Sequence, residues 1–131
     1  MNEHEEMFAR SFVVPTKIER YLEQFKSENG RNKLILGLDH SRDLDTRNIE
    51  TIPNNLQSAN AIYEILVSKG APEKCYVISS NSRLDGRRLN LKKALEETIG
   101  YGTGTFISCL PGKLGFYESS EINGRVILEK P

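Results

Sequence analysis

The chain has no tryptophan, two cysteines, five prolines and no excess of either charge. Cys75 and Cys109 are too few to staple a secreted disulfide scaffold and too far apart to form a zinc knuckle alone. They read as reduced, mostly buried thiols. Eighteen Lys and Arg balance eighteen Asp and Glu, so the phosphate attraction of a nucleic-acid binder has no global source. Nucleic acid is therefore set aside as a partner, which leaves room only for local basic patches. The longest apolar run, Leu34-Ile35-Leu36-Gly37-Leu38, is far too short to cross a bilayer core. Membrane is set aside with it. The opening Met1-Asn2-Glu3-His4-Glu5-Glu6 is acidic where a secretory signal carries positive charge ahead of a long apolar stretch. Cytoplasmic residence is the expectation, with those first residues read as a ragged terminus.

The chain contains 131 residues, 37% apolar and 27% charged, the composition of an ordinary globular domain. At this length one domain over 1–131 is expected, burying roughly two-thirds of the unfolded surface. From Thr16 to Ser27, Ile18, Tyr21, Leu22 and Phe25 recur at spacings of three and four, which paints one helical face. Thr16 and Glu19 suggest a capping box and Asn29-Gly30 a left-handed exit. Lys33 to Leu38 is an apolar run of ambiguous period, read as a short helix. A further amphipathic helix is expected from Gln57 to Lys69 with Gly70 as stop, and another after the cap Asn90, carrying Leu91, Ala94 and Leu95.

Strand signals surround these helices. Asn48 to Ile52 alternates and ends at Pro53, and Cys75 to Ile78 is short and β-prone. A strand, helix and strand joined by short connections favours a right-handed crossover between parallel strands. Beyond the glycine-rich 100–104 segment the period changes to two. Thr105 to Leu110, Leu114 to Glu118 and Val126 to Glu129 predict a C-terminal antiparallel meander, its turns at Pro111-Gly112 and Asn123-Gly124. The expected fold is α/β, with α+β as the alternative: one mixed sheet of five strands with three to four helices.

The stretch Ser79-Ser80-Asn81-Ser82-Arg83-Leu84-Asp85-Gly86-Arg87-Arg88 follows a strand and leads towards a capped helix. At the carboxyl end of a strand, a helix start offers free amides to anions. Ser79, Ser80, Asn81, Ser82, Arg83 and Arg87 are therefore the expected ligand-binding residues, with Lys113 added from the Pro111-Gly112 turn. The competing reading is a turn at Asp85-Gly86 with solvated or acid-paired arginines. Glycines 100, 102 and 104 follow a helix and precede a strand, the reverse of a pyrophosphate cradle; a cap and a strand entry account for them without ligand. The cluster Asp39-His40-Ser41-Arg42-Asp43-Leu44-Asp45 matches neither a calcium-loop nor a zincin pattern, so no metal or other cofactor is expected.

Cysteine catalysis needs a base, and His40 is the one candidate partner for Cys109. Tyr117, Glu118 and Glu121 read either as polar groups on the same rim or as the wet face of a hairpin. The runs Cys75-Tyr76-Val77-Ile78-Ser79, Leu84-Asp85-Gly86-Arg87 and Gly104 to Leu114 resemble short bacterial proteins of unassigned function. That resemblance implies a bacterial cytoplasmic setting and attaches no activity. The leading expectation is a binding or interaction domain for a small anionic ligand, a phosphate or carboxylate, or for a protein partner. A hydrolase or transferase using His40 as base and Cys109 as nucleophile on a phosphorylated or acyl substrate is the alternative. Self-association through the last strand is left open.

Overall fold

The computed structural model describes residues 1–40, 42–121 and 124–131. Asn123 of the second expected turn and Ser41 of the acidic cluster lie outside them. Five helices are described: α1 (Glu3–Phe12), α2 (Ile18–Gln24), α3 (Glu28–Gly37), α4 (Ala59–Ser68) and α5 (Leu91–Thr98). Six strands, β1 (Ile49–Thr51), β2 (Lys74–Ser79), β3 (Arg88–Asn90), β4 (Thr105–Leu110), β5 (Leu114–Glu118) and β6 (Val126–Glu129), form one open sheet in the order β1-β6-β5-β4-β2-β3. Every pairing is antiparallel. The class is therefore α+β, with one more strand and more helices than the sequence predicted.

The sheet is covered on both faces, and strand alternation decides which residue meets which layer. Tyr76, Ile78, Phe106, Tyr117 and Leu128 pack with Phe8, Phe12, Tyr21, Leu22 and Leu34 from α1, α2 and α3. Cys75, Val77, Ile107, Phe116 and Ile127 face Ile62, Leu66, Leu91 and Leu95 from α4 and α5. The expected crossover needs correcting. Alternating directions across the strand order make β1 and β2 run the same way, but β6, β5 and β4 stand between them. The meander β4-β5-β6 supplies those strands, so α4 spans the sheet rather than joining two neighbours.

Three local expectations change as well. Pro15–Lys17 forms a single 3-10 turn, and Lys17 occupies the cap position of α2 without a side-chain cap bond, so no Thr16 capping box exists. Asn29 and Gly30 lie in the first turn of α3, where Ser27 Oγ accepts from Gly30 N at 3.0 Å. A Cβ at Gly30 would stand 2.5 Å from the Gln24 carbonyl oxygen, so glycine here lets α2 and α3 meet backbone to backbone. The terminus read as ragged is ordered: Asn2 and Glu5 form a true capping box, and Phe8, Ala9 and Phe12 are fully buried.

Candidate functional site

Among the described residues, three clefts bear on the question of a site. The first holds the Ser79–Arg88 loop. Gly86 takes a positive φ of 76°, and the loop folds back on itself. Ser79 N donates to Asp85 Oδ1 at 2.9 Å, Ser80 N to the Gly104 carbonyl, Asn81 N to Ser79 Oγ, and Arg83 N to Asn81 Oδ1. The amides of Leu84, Asp85, Gly86 and Arg87 bond to loop or β2 carbonyls. The expected supply of free backbone donors is thus consumed internally. Nor does a helix start here, because β3 intervenes and α5 begins at the other end of β2, where Leu91 N donates to the Glu73 carbonyl.

The predicted residues separate accordingly. Ser79 is 1% exposed and exchanges a hydrogen bond with Thr105 at 2.7 Å. Lys113 sits in the β4–β5 turn, at the opposite end of the sheet from Thr105. Ser80 and Ser82 stay on the loop, while Asn81, Arg83 and Arg87 line a cleft of about 570 Å³ with Leu84, Glu97 and Tyr101. Asp85 does not neutralise these arginines. It is bound in a fork by Arg31 from α3, whose Nε and a terminal nitrogen lie 2.9 Å from its two oxygens.

The expected base and nucleophile do not meet. Cys109 is buried with Cys75 in the layer facing α4 and α5, whereas His40 follows α3 on the other face, among residues of the α2–α3 cleft. Burial pushes the Cys75 thiol up to about 12 and the Cys109 thiol higher still, the opposite of what a nucleophilic thiolate requires. Both cysteines are core residues. The hydrolase or transferase reading loses its named machinery on geometry alone.

The second cleft, about 410 Å³, is lined by Thr51, Gln57, Glu118, Glu121 and Arg125 among others. It explains the glycines. Gly100 and Gly102, with φ of 93° and 68°, turn their amides onto Glu118 at 3.4 and 3.1 Å, and Arg125 Nε donates to the same carboxylate at 2.7 Å. Glu118 is thereby a buried structural anion rather than the wet face of a hairpin. Gly104 serves a different need: a Cβ there would lie 2.5 Å from the Leu38 carbonyl carbon.

The third cleft was not anticipated. It lies between α2 and α3, about 360 Å³, floored by Tyr21, Leu34 and Gly37 and rimmed by Lys17, Arg20, Gln24, Lys33, His40, Arg42 and Asp43. Four permanent cations face one carboxylate. Asp43 is engaged by the Tyr21 hydroxyl, which donates to it at 2.8 Å; burial, then this bond, raises the Tyr21 pKa above its ordinary value. Among the described residues, Lys17, Arg20, Lys33 and Arg42 have no acid partner within 4.0 Å, while Arg31, Arg47, Lys69 and Arg125 all do. His40 adds a buried Nδ1 with no hydrogen-bond partner. A spacing signal for this cleft was available: Lys17, Arg20 and Gln24, like Lys33, Gly37 and His40, recur at helical intervals. Neither the family models, nor the curated proteins, nor the solved structures contain a match to this chain.

Proposed function

We propose that this protein is a small binding domain for an anionic ligand, and that the α2–α3 cleft is where the ligand sits. The single observation that carries the reading is the imbalance at that cleft. A chain with equal numbers of acidic and basic residues gathers four unpaired cations there against one engaged carboxylate. Holding like charges together raises the free energy of the unliganded state, and an anion relieves it. Guanidinium groups add forked donors suited to phosphate or carboxylate. The volume falls at the lower end of the range for small-molecule sites.

A second reading places an anion on Arg83 and Arg87 in the loop cleft, beside the 69% exposed ring of Tyr101. Glu97 offsets part of that charge, and Arg87 is already turned to donate to the Arg83 carbonyl at 3.2 Å, so the α2–α3 cleft is preferred. Titration calorimetry with pyrophosphate distinguishes the two. Arg20→Ala should weaken binding at least tenfold and Arg87→Ala less than twofold. The reverse pattern moves the site to the loop; no heat from wild type ends the anion reading.

A further inference from the structure

We infer that the ligand of the α2–α3 cleft is a small organic molecule carrying two separated anionic groups, such as a bisphosphorylated sugar. This inference rests on the anion-binding reading and narrows it. The charges are distributed along the cleft rather than focused at one point. Gly30 at the start of α3 meets Gln24 at the end of α2, and Lys17, which precedes α2, and Arg42, which follows α3, line the same cleft with His40 away from that contact. Lys33 stands four residues before Gly37, about 6 Å further along α3 by helical rise, on the side of Gln24. Arg20 lies between.

Charge count agrees with this layout. Lys17, Arg20, Lys33 and Arg42 against Asp43 leave a positive surplus that one phosphate dianion does not neutralise and two phosphate groups do. Between the ends the cleft is lined by Tyr21, Leu34 and Gly37, none of which carries a formal charge. Gly37 presents no side chain, and even a Cβ there would stand 3.8 Å from the Tyr21 hydroxyl, so this stretch accepts the uncharged body of a ligand. His40 lines the same cleft.

The test compares a hexose 1,6-bisphosphate with a hexose 6-phosphate by titration calorimetry on the full chain at one fixed salt concentration. The bisphosphate should bind at least tenfold more tightly. Lys33→Met keeps the aliphatic stem on an exposed position and should reduce that preference to under threefold. Equal affinities in wild type, or a preference that survives Lys33→Met, would overturn the two-group inference while leaving the anion-binding reading standing. Failure of both sugars and of pyrophosphate would remove the two together.

Discussion

His4 illustrates how one side chain acquires a role from its surroundings. Its ring stacks on Tyr76 with centroids 5.5 Å apart, and its Nδ1 lies 2.6 Å from the buried Ser108 hydroxyl. Burial first, and then the positive charge of Arg88, hold its pKa below the ordinary 6.5. A lowered value means that the folded state favours the neutral ring. Its contribution to stability is therefore complete above the unfolded-state value and is lost as pH falls through the folded value. Chemical unfolding measured from pH 7.5 downward should show stability declining below about 6.5, and His4→Gln should flatten that part of the profile. A profile unchanged by the substitution would mean that another group governs the acid limb. At this scale the sequence was misleading, since an acidic first segment gives no hint that residue 4 reaches residue 108.

Helix ends are where local chemistry and tertiary structure can be separated. Asn90 Oδ1 accepts from the amides of Lys92 at 3.0 Å and Lys93 at 3.4 Å, as the sequence predicts for a cap before Leu91. Asn90→Ala should lower stability by about 1 kcal/mol, read as a shift in urea midpoint with unchanged slope. The α1 cap is built equally well, and its stripe was legible in principle, because Glu5, Phe8, Ala9 and Phe12 recur at three, four and seven. What concealed it is Glu5. A carboxylate on a buried stripe breaks the apolar pattern, and only a distant cation makes it acceptable. The third strand was missed for a different reason: three residues, Arg88 to Asn90, are too few to display a period.

That distant cation organises the whole molecule. Arg31 of α3 forks onto Asp85 beyond β2 and pairs with Glu5 of α1, which also accepts from the Tyr76 hydroxyl. One guanidinium thus ties two helices to the loop that the sequence had marked as a binding site. With the Glu5 side chain only 6% exposed, Arg31→Met should cost about 3–5 kcal/mol, the penalty of leaving a buried charge uncompensated. Adding Glu5→Gln should recover part of that loss in equilibrium unfolding. A double variant no more stable than Arg31→Met would place the loss in packing instead. The same pairing explains why the Ser79–Arg88 loop is a poorer anion site than its composition suggests: its backbone donors and its acid were already committed inside the fold.

Five of the six strands and four of the five helical segments followed from the chain itself. These depend on alternation, helical period and capping chemistry between residues close in sequence. The order of strands did not follow, because which strands become neighbours depends on how three of them insert between β1 and β2, a non-local choice with no local signature. Nor did the position of the charged cleft. Lys17, Arg20, Lys33 and Arg42 are scattered through a neutral chain, and only the packing of α2 against α3, closest at Gly30, turns them into one electrostatic feature.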